Sequence, residues 1–449
     1  FGKAGAVTSF LCLTGCFGIL IYSFAVSDFS LKIVFENSHS AKPLLYKISG
    51  TWGNHEGSIM MLTWMLSLYG LAYALMKHNP LALSIQGMVC ALFIAYTKFA
   101  SNPFIMFGFA PPNGLGLNPV LQDVGLALHP PFLYLGYVGF SIVYSISVAH
   151  LWQGKVGKAY AASARKWCLL TWSLLTIGIG LGSSWAYREL GWGGFWFWDP
   201  VENASLMPWL ASTALLHSLI ITEKRKNLKK WTVLLAIITF SLSLMGFFLV
   251  RSGILTSVHS FASDPERGLF MLGILSVISG LGFFLFALKS PKLKAEGDFA
   301  VISREGGILF NNMMLLTLAA TIFVGTVYPL VLDHAISVGA PYYNYTFVPI
   351  ALLLLVVCAV FSQAKWVSDD LKKLGRKLLP SFVIALVAGG LLKSPEVFAI
   401  TFLAASSLIK LRGRKMADMP MFLAHTGMAA LALGIFFVSM FDEKYEGVM

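Results

Sequence analysis

Residues 184–205 read SWAYRELGWGGFWFWDPVENAS and separate two apolar segments that are each long enough to cross a membrane. Four tryptophans and two phenylalanines are crowded around three glycines, which would interrupt a helix. Tryptophan is common at membrane–water interfaces, but simple anchoring needs fewer of them. We therefore interpret the stretch as an aromatic loop that binds a flat, apolar ligand with charged edges. Its candidate binding residues are Trp185, Trp192, Trp196, Trp198 and Asp199.

The overall composition excludes a soluble protein. Hydrophobic residues make up 57% of the 449-residue chain, charged residues only 12%, and the mean hydropathy is +0.73. We predict an all-α, polytopic membrane protein that forms one domain over residues 1–449, with about 13 transmembrane helices. The predicted spans are 5–26, 58–76, 81–100, 130–151, 167–184, 204–222, 231–250, 269–288, 307–330, 346–361, 378–392, 396–410 and 419–440. A re-entrant hairpin is the alternative for the short pair at 378–410.

The positive charge, +12 overall, is concentrated in alternate connections between the spans, and its densest run is 224–230. The positive-inside rule assigns these connections to the inner side of the membrane. The long connections then lie outside, namely 27–57, 101–129, 185–203, 251–268 and 331–345. The basic run is thus a topology signal, and we expect a lipid environment and no nucleic-acid ligand. The five cysteines contain no CxxC pair and predict neither a disulfide framework nor a thiol redox centre.

Two histidines lie at the predicted outer ends of spans, one on each side of the aromatic loop in sequence. His129 belongs to LHPPFLYLGY, where Pro130 and Pro131 predict the first turn of a helix. His259 follows the seventh span in RSGILTSVH. A histidine in an outer loop is usually a solvated polar residue, so position alone gives either one only modest weight as a ligand.

Two further histidines lie inside predicted spans. His217 and His425 are each about 10 Å from the inner surface, given the rise of a helix per residue. Ionisable groups within a bilayer are costly and often functional. Two imidazoles at matched depth could share a metal or a haem iron. Hydrogen bonds to the adjacent Ser218 and Thr426 explain them equally well.

Other polar residues on the predicted outer side leave their roles open. His55 and Glu56 lie in WGNHEGS and could bind a metal or relay a proton, but the HExxH pattern of zinc proteases is absent. Arg188 and Arg251 could pair with ligand carboxylates, since guanidinium forks match them. Both are explained as well by positive charge at helix ends.

Together these motifs resemble the CcmF family, the haem lyases of the cytochrome c maturation system in bacteria and some mitochondria. WGGFWFWDP is similar to the tryptophan-rich WWD signature of haem-handling membrane proteins. The resemblance covers nearly the whole chain and is sparser over 290–410. Its other motifs are WGNHEGS, LHPPFLYLGY, TEKRK after His217, and FLVRSGILTSVHSFASDPERG. Relatives extend further, so truncation at both ends is expected.

The resemblance implies a site for each pair of histidines. His129 and His259 would hold the iron of substrate haem over the WWD loop at 184–205, with the porphyrin stacked on its tryptophans. His217 and His425 would ligate a permanent b-type haem, which keeps the substrate iron reduced. By analogy, quinol is the expected source of those electrons.

The same resemblance implies the activity, partners and location. The enzyme would be a haem lyase that positions haem for thioether attachment to the CxxCH segment of apocytochrome c. Its partners would be that apocytochrome and the haem chaperone and thioreductase components of the maturation system. The expected location is the bacterial inner membrane with a periplasmic active face, or the mitochondrial inner membrane.

Three alternatives differ in class. A WWD protein could pass haem to the chaperone without forming thioethers, although His217 and His425 argue against this. A transporter that exports haem or another solute would need a polar path, and acidic residues, asparagine and glutamine are scarce within the spans. A quinol-oxidising haem b subunit would turn over without apocytochrome.

Overall fold

The computed structural model describes residues 2–76, 79–189, 194–254, 264–294, 297–331, 338–411 and 419–441. These residues form fifteen α-helices, because a chain in a bilayer must satisfy its backbone hydrogen bonds internally. The helices are α1 (Gly2–Val26), α2 (Lys32–Asn37), α3 (Leu44–Gly50), α4 (His55–Leu75), α5 (Pro80–Phe99), α6 (Val124–Trp152), α7 (Lys158–Glu189), α8 (Pro200–Arg225), α9 (Lys229–Arg251), α10 (Pro265–Lys289), α11 (Arg304–Val331), α12 (Ala340–Phe361), α13 (Leu371–Leu392), α14 (Pro395–Leu411) and α15 (Met419–Met440).

The predicted all-α, polytopic fold is confirmed. Within the described residues, twelve helices are long and apolar enough to cross a membrane, and a shorter apolar helix covers 395–409. Each of the thirteen predicted spans corresponds to one of these helices. The short pair at 378–410 forms two helices, α13 and α14, joined at Lys393, which adopts a left-handed conformation with φ of 49°.

The predicted start of the fourth span is wrong. Helix α6 begins at Val124, where the Asp123 side chain caps it by accepting a hydrogen bond from the Gly125 amide at 2.6 Å. Pro130 and Pro131 therefore lie inside the helix, and His129 lies in its second turn. The two prolines remove only two backbone amide donors from the helix. Packing against the surrounding helices can therefore still keep this segment in a helical conformation.

The chain divides into two compact units, residues 1–295 with 329–335 and residues 296–328 with 336–449. The aromatic loop, His129 and His217 belong to the first unit, and His425 belongs to the second. The organisation as one polytopic domain over 1–449 stays a prediction.

Helix α6 is the central helix of the first unit. It packs against α4, α5, α7, α9 and α10, and every residue from 136 to 149 is buried. A helix that is apolar on all faces suits this position, because protein rather than lipid surrounds it. The first turns of α6, which carry His129, are therefore continuous with a tightly packed segment of the same helix.

Helices α6 and α7 approach so closely that glycine is required between them. A Cβ on Gly136 would lie 2.6 Å from the Cα and backbone nitrogen of Leu175, and a Cβ on Gly178 would lie 2.6 Å from the same atoms of Leu133. Small residues at helix contacts permit this backbone approach in membranes. The pair therefore forms one packed element.

The second unit is organised around α14, which packs against α12, α13 and α15. Its core contains Ala385, Phe402 and Leu403, each nearly inaccessible to solvent. Helix α15, which carries His425, buries little of its surface in comparison, with Ala429 as its buried residue.

Replacing Gly136 with alanine should destabilise the first unit. The new methyl group meets backbone atoms of Leu175, which can move only by separating α6 from α7, so we expect a loss of about 1–3 kcal/mol in unfolding free energy. Denaturation of the purified protein in detergent measures it. Gly280→Ala is the control, because nothing lies within 4 Å of a Cβ there. Equal unfolding midpoints for the two variants would contradict this packing.

Candidate functional site

His129 lies against the glycine-rich face of α7. Its Nδ1 is 2.7 Å from the carbonyl oxygen of Gly178. One turn further along α7, a Cβ on Gly182 would lie 2.5 Å from the imidazole Cε1 of His129. The ring is half-buried, and two turns of α7 fix its position.

Further towards the end of α7, the same interface carries an aromatic residue and an ion pair. A Cβ on Gly125, one turn before His129, would lie 3.2 Å from Cβ of the buried Trp185. Beyond it, Arg188 Nη2 is 2.8 Å from Asp123 Oδ1. The interface therefore presents histidine, tryptophan and an arginine–aspartate pair in succession along facing helices.

Trp185 was predicted to lie in the loop, but α7 continues to Glu189 and includes it. The close packing of α7 on α6 and the Arg188–Asp123 pair support these extra turns. The described part of the loop is 194–199, before α8 begins at Pro200.

The end of the loop is held by a capping box. Asp199 accepts a hydrogen bond from Val201, and Glu202 accepts from the backbone amides of Phe197 and Asp199. Trp198 has a φ of +59°, a left-handed conformation that is uncommon outside glycine and is found at functional sites. The rings of Trp196 and Trp198 meet edge to face at 6.1 Å. The backbone of this segment is thus fixed by carboxylates.

Two predicted ligand residues, Trp192 and His259, lie outside the described residues. Their predicted contacts with haem stay predictions.

Arg251 is buried rather than displayed at the surface, with only 1% exposure. It donates hydrogen bonds to the Ser58 hydroxyl at 3.0 Å and the Tyr134 hydroxyl at 2.9 Å, and its Nη1 is 3.3 Å from the His55 carbonyl. The guanidinium therefore joins α9 to α4 and α6. The pairing of Arg251 with a haem carboxylate stays a prediction. Arg188, the other arginine predicted to pair with such carboxylates, is by contrast half-exposed.

The WGNHEGS motif forms a polar junction at the start of α4. Arg267 Nη2 is 2.7 Å from Glu56 Oε1, and its Nε donates to the Ala100 carbonyl at 2.9 Å. His55 Nδ1 lies 3.0 Å from the Ser101 hydroxyl. The pair His55–Glu56 therefore contributes to a structural network that ties α4 to α5 and α10. No group of three or more His, Cys, Asp or Glu that could hold a metal ion occurs in the described part of the chain.

The two membrane histidines lie where their spans were predicted. His217 is half-buried in α8, and His425 is half-buried in α15. The hydroxyl of Ser218 is 2.7 Å from that of Thr232, and the hydroxyl of Thr426 donates to the Phe422 carbonyl at 2.7 Å. Because the two histidines belong to different units, their pairing stays a prediction.

The contribution of α7 to the site was missed from the sequence. Gly178 and Gly182 follow the spacing of small residues that permits close contact between membrane helices. That signal predicts a tight interface on α7 but does not identify His129 as the residue it faces. The Glu56–Arg267 pair joins parts of the chain that are distant in sequence, so no local sequence pattern predicts it.

Comparison with protein families gives a match to Cytochrome C assembly protein over residues 52–256. The chain is 49% identical over 391 residues to the cytochrome c-type biogenesis protein ccl1 of Rhodobacter capsulatus, covering 85% of this chain and 60% of that protein. It is 45% identical over 485 residues to the cytochrome c-type biogenesis protein CycK of Bradyrhizobium diazoefficiens, covering 100% of this chain and 74% of that protein.

A solved structure has the same fold. It is titled Cytochrome c Heme Lyase CcmF, with a TM-score of 0.81 and 26% sequence identity. The match covers 96% of this chain and 70% of that one. The likeness therefore extends through both units and well beyond the aromatic loop.

Replacing Glu56 with glutamine should weaken the junction between α4 and α10. The Arg267 guanidinium is only 24% exposed and would lose a charged acceptor, so we expect a loss of about 1–3 kcal/mol in unfolding free energy. Exchanging the charges, Glu56→Arg with Arg267→Glu, should recover part of it. Chemical denaturation in detergent measures both.

The control for this prediction is Lys32→Gln, which breaks the exposed pair between Lys32 and Glu36. That pair should contribute well under about 1 kcal/mol. If Glu56→Gln were as mild as this control, the junction would not be a stabilising network.

Proposed function

The chain belongs to the CcmF family of cytochrome c-type biogenesis proteins, and from this premise we propose that it is a cytochrome c haem lyase. It takes haem at the membrane face where α6 begins and positions it for attachment to the CxxCH segment of an apocytochrome c. His129 is one ligand to the iron of this substrate haem, and His259 is the other.

The observation that supports the proposal most is the arrangement along the α6–α7 interface. An imidazole, a buried tryptophan and a half-exposed arginine follow one another on facing helices, in His129, Trp185 and Arg188. These groups match the three parts of haem, which are a metal, an apolar ring and carboxylate edges. Trp196 and Trp198, at the end of the adjoining loop, supply further aromatic surface.

Thioether formation requires no side chain of the enzyme to react covalently. Each cysteine S–H of the apocytochrome adds across one vinyl C=C of haem, forming a C–S bond and a C–H bond with no net oxidation. The thiols of the substrate are the nucleophiles, so the enzyme accelerates the addition chiefly by holding haem and peptide in register. His129 would hold the haem through its iron, and a contact between Arg188 and the haem carboxylates would limit rotation about that bond, so that together they would position both vinyl groups.

Arg188 would orient the haem through its carboxylates. Its guanidinium is already paired with Asp123, and about half of the side chain is exposed. A guanidinium has five N–H donors, so it can keep donating to one carboxylate while it donates to a second. Asp199 acts on the backbone, since it caps α8 and fixes the end of the aromatic loop.

We also propose a resident b-type haem with His217 as a ligand. A half-buried imidazole within a membrane helix is a suitable donor to haem iron, and the family resemblance supplies His425 as the second ligand. When bound, such a haem supplies one electron at a time and keeps the substrate iron reduced. A quinol is the proposed reductant.

The family and the twelve candidate spans among the described residues support a membrane setting. The protein is a multi-span membrane protein, and we propose the bacterial inner membrane with the lyase site facing the periplasm. The proposed partners are an apocytochrome c with a reduced CxxCH segment and the haem chaperone and thioreductase components of the maturation system.

His129→Ala should strongly reduce the covalent attachment of haem to apocytochrome c without loss of the resident haem. Haem covalently bound to a co-expressed apocytochrome, detected by haem staining after denaturation, should fall by about tenfold or more, since changes to a ligand's partners alone cost about 10–100-fold. His39→Ala is the control, because His39 belongs to another loop on the predicted outer side. Staining at the control level would remove His129 from the lyase site.

His217→Gly should remove the low-spin b-type absorption spectrum of the purified protein, because glycine offers no axial ligand. His150→Gln is the control within another span, since His150 is engaged by the Ile146 carbonyl at 2.8 Å. An unchanged spectrum in His217→Gly would overturn the b-haem assignment and leave that of His129 standing.

A further inference from the structure

The hydrogen bond from His129 to α7 determines the tautomer of the imidazole. The carbonyl oxygen of Gly178 can only accept, so the Nδ1 atom at 2.7 Å must carry the hydrogen. In the neutral ring the other nitrogen, Nε2, then holds the lone pair. Only a nitrogen with a lone pair can bind iron.

The same face of α7 also determines the orientation of the ring. A Cβ at position 182 would lie 2.5 Å from Cε1, 2.8 Å from Nδ1 and 3.2 Å from Nε2 of His129. Any side chain at Gly182 would therefore push the imidazole from its position. Gly180, between these two glycines in sequence, has nothing within 4 Å of its ideal Cβ and is exposed.

From these contacts we infer that Gly178 and Gly182 are positioning residues for haem capture, which select Nε2 of His129 as the ligating atom and fix the plane of its ring. The inference deepens the proposed function and rests on it, because it takes His129 as an iron ligand. Histidine ligands commonly donate their second N–H to a carbonyl, and losing that partner typically costs about 10–100-fold in metal affinity. Here the partner is a backbone carbonyl, which no substitution at Gly178 removes, so it needs a separate test.

A zinc porphyrin tests the inference without electron transfer or catalysis. The full chain carries His259→Ala, so that His129 is the one predicted outer ligand, and zinc protoporphyrin binding is followed by the Soret shift that axial imidazole produces. Gly182→Ala should weaken ligated binding by about 10–100-fold. Gly180→Ala, on the same helix, should leave it unchanged. Thermal unfolding in detergent verifies that both variants fold.

Comparable affinities in Gly182→Ala and Gly180→Ala would overturn the inference. If His129→Ala also left the affinity of the His259→Ala protein unchanged, the assignment of His129 as a ligand would fall with it, and the two failures are thereby distinguished.

A second experiment leaves α7 intact and addresses the carbonyl of Gly178. In a chain with His129→Gly and His259→Ala, added imidazole can ligate the zinc porphyrin and donate its N–H to the carbonyl, whereas 1-methylimidazole can ligate but has no N–H. We expect imidazole to restore the ligated spectrum at about tenfold lower concentration, the low end of the effect of such partners. Equal concentrations, corrected for their affinities in free solution, would contradict the role of the carbonyl.

Discussion

The close approach of α6 and α7 is the constraint on which the proposed site depends. Glycines at 136 and 178 bring the two backbones together where side chains would otherwise separate them, and glycine at 182 leaves room for the imidazole of His129. In this interface the imidazole of His129 lies against the carbonyl oxygen of Gly178 and the Cα of Gly182 on α7. Lipid offers no hydrophobic drive for helices to associate, so van der Waals packing of this kind carries much of the stability. The contacts that stabilise the packing of α6 on α7 therefore also orient the imidazole of His129.

Charged groups near the predicted outer face have two different tasks. Arg251 and Arg267 lie within a polar junction made by the start of α4, where hydroxyls, carbonyls and Glu56 surround them. Arg188 lies apart at the end of α7 and remains half-exposed beside Asp123. An arginine whose donors are used within the protein stabilises it, whereas an exposed one can also meet a ligand. This difference in burial favours Arg188 over Arg251 as a partner for haem carboxylates.

The sequence predicted the spans well because hydrophobic length in a bilayer is a property of local composition. It misplaced the start of α6 because Pro130 and Pro131 normally mark a first turn, whereas here Asp123 caps the helix earlier. Trp185 was assigned to a loop because the whole tryptophan-rich run from residue 184 was interpreted as one loop, whereas α7 extends to Glu189. The burial of Arg251 depends on residues that are distant in the chain, and no local pattern reveals such a contact. The position of a histidine along its predicted span was enough to select candidate iron ligands. Their contacts, such as that between His129 and Gly178, become visible only in the tertiary structure.

The most direct test is a structure of the full chain with haem bound, by electron cryomicroscopy of the protein in a lipid nanodisc. We expect iron within bonding distance of Nε2 of His129, with Nδ1 still directed at the Gly178 carbonyl and the porphyrin beside Trp185. Iron bound through Nδ1, or a porphyrin at this face of the membrane without contact to His129, would contradict the proposed site.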